Sequence, residues 1–135
     1  MYNILVIVDN KLSSRNQCNA IINEMKTKSQ KKIKVKYLKH NLKFLKIFPN
    51  PFIYFFLLIK SYFEKKQFHD LDFIISCGRV SAPLNLILKR INKCKNCHIL
   101  NPYFKKKDFD KIIIPNHDLS KDYEPNIIPI LGTLT

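Results

Sequence analysis

Short apolar runs recur along this chain, and each ends at a polar or turn-forming residue. The first, Asn3–Val8 (NILVIV), is apolar without alternation, as a strand buried on both faces requires. Asp9 and Asn10 close it as a turn. From Ser14 the period becomes helical, with Cys18, Ile21, Ile22 and Met25 on one side and Ser13 or Ser14 placed to cap the first amides. Lys32–Leu38 alternates with a period of two and predicts a second strand with one polar face. An irregular stretch follows over Lys39–Asn50, with Pro49 and Pro51 as breakers. Pro51–Phe68 then reads as a very apolar helix carrying Lys60, Lys65 and Lys66 toward its end. Asp72–Ser76 is a buried strand that runs into Cys77-Gly78-Arg79 and an amphipathic helix over Ser81–Ile91. His98–Leu100, Lys111–Pro115 and Asn126–Leu131 supply three more strands; Asn101-Pro102 ends the first of them and Gly132 the last.

Buried strands alternating with helices predict parallel βαβ units. The expected fold class is α/β, a Rossmann-like, mostly parallel sheet of five or six strands with helices on both faces. In such sheets ligands sit beyond the carboxyl ends of the strands. That rule selects Asp9–Ser14, Ser76–Ser81, Asn101–Tyr103 and Asn116–Asp118.

A length of 135 residues suits one domain with a real core. With 2 Gly and 7 Pro, the chain is neither collagen-like nor a linker. The net charge of +14 changes the picture more, because 21 of the 24 basic residues are Lys and only 3 are Arg. Arg, with its planar fork, is the usual reader of phosphates and bases. A lysine excess fits compositional drift or attraction to an anionic membrane face better than it fits nucleic acid. Four Cys without an export signal point to a reducing compartment, so the expected location is cytoplasmic or at the inner face of a membrane. The apolar run Pro51–Ile59 is about half of what a membrane-spanning helix needs.

The best local candidate for chemistry is Ser76–Pro83, where a strand ends, Gly78 permits an unusual backbone angle and a helix begins. Ser81 is placed as N-cap, Pro83 is tolerated in the first turn, and Arg79 could join the helix amides in holding an anion. A plain strand-to-helix turn with a solvated Arg79 accounts for the same residues. Asp9 ends the first strand, either as a polar site residue or as a turn-former. His117 and Asp118 follow another strand, as an acid–base pair or as a polar loop. Cys94, Cys97 and His98 are too few for a closed zinc site. Phe48–Phe63, rich in Phe and Tyr, is either a core helix or one lying in a membrane interface. The residues specify no catalytic group, metal or cofactor.

Four segments, ILVIVDN…RNQCNAI, DFIISCGRVSAPLNLILKR, HILNPYF…FDKIIIPNHD and PILGTLT, resemble in order and spacing the mitochondrial-fission ELM-type family. Ser76–Pro83 is similar to that family's Ser-Gly-Arg-x-(Ser/Thr)-Ala-Pro segment, and Gly78, Arg79, Ser81, Pro83, Asn101, Pro102, Pro115, His117, Asp118 and Gly132 match its pattern. Asp9, Asn16 and Gln17 match near the amino terminus, but Asn10-Lys11-Leu12-Ser13 stands where the family carries Gly-Arg-Ala-Gly. The resemblance implies a GT-B glycosyltransferase-like architecture in which this chain is the N-terminal, acceptor-side domain, with ligand contacts at Asp9, Gly78, Arg79, Ser81, Asn101, His117 and Asp118. It further implies that the nucleotide-sugar domain is absent, that the chain is a truncated or split member inactive alone, and that a separately encoded second half is a partner. The rival readings are a basic membrane-binding or interaction module, a nucleic-acid binder, and a small enzyme using His117 and Asp118.

Overall fold

A computed structural model describes residues 2–8, 12–29, 32–39, 51–54, 70–79, 81–100, 102, 105–115 and 125–130. Among the described residues six strands form one sheet: β1 (Tyr2–Val8), β2 (Ile33–Lys39), β3 (Phe73–Cys77), β4 (Lys95–Ile99), β5 (Lys111–Pro115) and β6 (Ile127–Ile130). Helices α1 (Leu12–Lys28) and α2 (Ser81–Asn92) accompany them, with a short 3₁₀ turn at Lys106–Asp108. The strand order is β2-β1-β3-β4-β5-β6, and every neighbouring pair is parallel. The fold is therefore α/β and Rossmann-like, as the alternation of strands and helices predicts.

The apolar runs fill the centre of the sheet. Ile4, Leu5, Val6 and Ile7 of β1 and Ile74 and Ile75 of β3 have no solvent exposure. Alternation sends them to two faces. Ile4, Val6, Val8, Ile75 and Cys77 pack with Cys18 and Ile22 of α1. Leu5, Ile7 and Ile74 pack with Leu88 of α2 on the other side. Each such side chain contributes about 1.5–3 kcal/mol on burial, which sets the direction of the chain around the sheet more firmly than local propensity does. A third cluster on α2's side joins Ala82, Leu86 and Ile87 to Phe109, Ile112, Ile114 and Ile127.

The structure differs from the sequence-based reading at several element ends. Helix α1 begins at Leu12, so Ser13 and Ser14 lie inside its first turn instead of capping it, and Ser14 is buried. Strand β4 begins at Lys95, three residues before His98, because its inward polar residues Asn96 and His98 find buried partners. Residues 51–54 are helical, with Ile53 and Tyr54 in the third core cluster and Phe52 at the surface. The start of the aromatic segment is thus core; the rest of Pro51–Phe68 lies outside the described residues, as does most of Lys39–Asn50.

Both sheet edges are handled differently. The amide of Ile112 donates to the carbonyl of Asn126 at 3.1 Å, so even-numbered residues of β6 face β5. Pro129 therefore turns its nitrogen, which has no hydrogen, toward the open edge, the position a sheet tolerates. On β2 the exposed Lys34 and Lys36 discourage edge pairing by charge.

Candidate functional site

The strand order reverses direction between β1 and β3: β1 leads to β2 on one side, and the chain returns to place β3 on the other. Loops leaving the carboxyl ends at such a point diverge and open a crevice, where ligands bind in doubly wound sheets. Gly78 and Arg79 occupy the tip of β3 at this point. Gly78 has φ 95°, a left-handed angle that a side chain would oppose, and its amide donates to the carbonyl of Ile99 at 3.3 Å. The turn is thereby pinned to β4 and aims the chain into α2. Arg79 is half-buried, and its carbonyl accepts from the amide of Ala82 at 3.3 Å.

That last bond limits the helix start as an anion cradle. The Ala82 amide is engaged and Pro83 has no N–H, so charge at this end of the sheet rests with Arg79 more than with free amides. Ser81 is 1 % exposed and lies within the helix start. The structure thus brings Gly78, Arg79 and Ser81 together at one strand tip. Asp9, Asn101, His117 and Asp118 lie outside the described residues.

Beneath the tip runs a polar network that sequence reasoning missed. Ser76, two residues before Gly78, meets His98 Nδ1 at 2.6 Å, and Asn85 Nδ2 donates to Ser76 Oγ at 2.6 Å. Asn85 Nδ2 also donates to the Cys97 carbonyl at 3.0 Å, while Asn96 Nδ2 donates to Asn85 Oδ1 at 3.0 Å. Asn96 and Asp110 then exchange bonds of 2.9 Å in each direction, and Lys89 Nζ stands 3.2 Å from the Asp110 carboxylate. The chain of contacts passes from the solvent side of α2 to the heart of the sheet. Its signal in the sequence is twofold: the inward pair Asn96 and His98 at a spacing of two, and Asn85 and Lys89 at a helical spacing of four.

Ser76 Oγ accepts from Asn85 Nδ2 and shares a hydrogen with His98 Nδ1, in the direction that the imidazole tautomer sets. Burial holds the ring neutral, pushing its pKa down to about 3, and Phe109 lies tilted beside it at 5.4 Å. His98 is therefore a fixed structural group with no acid–base role near neutrality. Burial likewise pushes the Cys97 thiol up to about 12, which removes it as a thiolate. Cys97 and His98 are adjacent on β4 and face opposite sides of the sheet, so the Cys94–Cys97–His98 run does not converge on a metal. Among the described residues no group of three His, Cys, Asp or Glu side chains is placed to hold one.

The family model described as mitochondrial fission ELM1 matches residues 14–135. The chain belongs to this family. No curated protein and no solved structure matches it. The match covers the Gly78–Arg79 tip, the buried network and all strands of the ELM1-family chain after β1. The all-parallel sheet agrees with the architecture that the family resemblance implies. No helix among the described residues is long and apolar enough to cross a membrane.

Proposed function

We propose that this chain is the acceptor-side lobe of a GT-B-like sugar transferase, holding a phosphate-bearing acceptor at the carboxyl edge of its sheet and working against an anionic membrane surface. The observation that carries the reading is the Gly78–Arg79 tip of β3, which stands at the strand-order reversal with a left-handed turn pinned to β4. A guanidinium there meets a phosphate with a fork of donors, whereas the lysines elsewhere act as diffuse charge. In this reading the sugar donor is held by a second α/β unit, and the chain transfers nothing by itself. The net charge of +14 draws the lobe toward anionic lipid, where a membrane-borne acceptor is presented.

Titration calorimetry of the chain with inorganic pyrophosphate tests the anion site. Arg79→Ala should weaken binding roughly tenfold or more, the loss expected for one charge-assisted contact. Arg79→Lys should fall between the two. Equal affinities for all three proteins would overturn the reading.

A further inference from the structure

Two buried side-chain polar atoms among the described residues lack a hydrogen-bond partner, His98 Nε2 and Gln17 Oε1. His98 Nε2 is the unbonded nitrogen of a ring that Ser76 holds at Nδ1, in the network under α2. Gln17 is only 6 % exposed and lies on the same side of α1 as the buried Cys18 and Ile22. A methionine would fill this position without an unpaired carbonyl. A buried polar atom kept without a partner calls for an explanation.

The place of Gln17 supplies one. Helix α1 starts four residues after β1 ends and packs back along the sheet, so its first turns lie over the carboxyl ends of the strands. Cys18, the next residue, packs with Val8 and Cys77, the last residues of β1 and β3. Ser14, one turn earlier, is buried as well. Helical side chains lean toward the amino end of their helix, which for α1 is the end nearest the tips of β1 and β3. The first turn of α1 contains no acidic residue, so the positive end of its dipole is not offset from within. The terminal torsion of a glutamine is soft, so the amide can turn to meet a ligand.

We infer that Gln17 is a ligand contact at the strand-order reversal: its Oε1 accepts a hydrogen bond from a hydroxyl of a phosphorylated polyol whose phosphate lies between Arg79 and the start of α1. This rests on the reading of the carboxyl edge as a phosphate-binding acceptor site. The division of roles follows from the groups themselves. The Oε1 carbonyl can only accept, so that atom takes an O–H or N–H donor and not an ionised phosphate oxygen. Arg79 can only donate, so it selects the anion. A ligand that satisfies both carries a phosphate and a free hydroxyl, as sugar phosphates and glycerol phosphate headgroups do.

Gln17→Met tests the inference, with urea unfolding and binding of inorganic phosphate, sn-glycerol 3-phosphate and glucose 6-phosphate as readouts. The wild-type chain should bind at least one of the two phosphorylated polyols about tenfold more tightly than inorganic phosphate, the scale of one hydrogen bond to a desolvated acceptor. The tighter of the two distinguishes a lipid headgroup from a sugar. The variant should unfold at higher urea, bind inorganic phosphate as the wild type does, and lose the preference for the polyol. A lower urea midpoint or failure to fold would show Gln17 to be structural and overturn the inference. A preference retained in the variant, or absent from the wild type while Arg79-dependent phosphate binding persists, overturns it and leaves the acceptor-site reading standing. Absence of any phosphate binding removes both.

Discussion

His98 lies wholly inside the molecule with one nitrogen bonded and the other unpartnered. Its folded pKa of about 3 is below the ~6.5 of a free imidazole, so as pH falls the unfolded chain takes up this proton first. The stability His98 contributes is complete above pH ~6.5 and is lost as pH falls toward 3. Between about pH 6.5 and 5, above the carboxylate range, the urea midpoint of the wild type should drop, and His98→Gln should flatten that drop. An unchanged slope in the variant would place the titration elsewhere. A second residue-scale expectation concerns Lys93, which follows α2 with φ 52°. Glycine suits that left-handed position, so Lys93→Gly should raise stability by about 0.5–1 kcal/mol in denaturant unfolding. Neither feature stands out in the sequence. His98 reads there as the first residue of a strand, because burial of a polar ring depends on Ser76, Asn85 and Phe109 arriving from distant segments.

At the scale of elements, α2 is tied to the sheet by polar contacts as well as by packing. Asn85→Ala would remove the bonds to Ser76 and Cys97 and leave Asn96 Nδ2 without its acceptor inside the core. The expected loss is on the order of 3 kcal/mol, read as a lower urea midpoint; a change below about 1 kcal/mol would mean the network relaxes around the gap. The edge strand β6 gives a second expectation. Pro129→Val restores an N–H on the open edge, so the variant should self-associate at concentrations where the wild type does not, as followed by sedimentation velocity. The strands were legible because their apolar runs match buried parallel strands; Lys111–Pro115 is found with the same limits the pattern predicts. The start of β4 was not, since Lys95 and Asn96 carry no apolar signal and join the ladder through pairing with Phe73 and Ile74.

For the whole molecule, the doubly wound topology follows from alternating strands and helices, and it puts Gly78 and Arg79 at the strand-order reversal. That much of the candidate site was legible, because a glycine between a buried strand and a helix start marks the strand's tip whatever packs around it. Gln17 was visible only as a family match, and its unpaired carbonyl is a fact of packing that no local pattern encodes. The lysine excess belongs to this scale too. Vesicles containing anionic lipid should co-sediment the chain at low salt and release it at about 0.5 M salt, where charges are screened within a few ångströms. Vesicles of neutral lipid should leave it in solution, and binding indifferent to lipid charge would contradict the membrane role. The most direct test is an amide chemical-shift map of the chain titrated with sn-glycerol 3-phosphate. Shifts should concentrate on Gly78, Arg79, Ala82 and the first turns of α1; shifts gathered at the opposite, amino edge around Lys93 and Lys95, or none at all, would contradict a ligand site at the carboxyl edge.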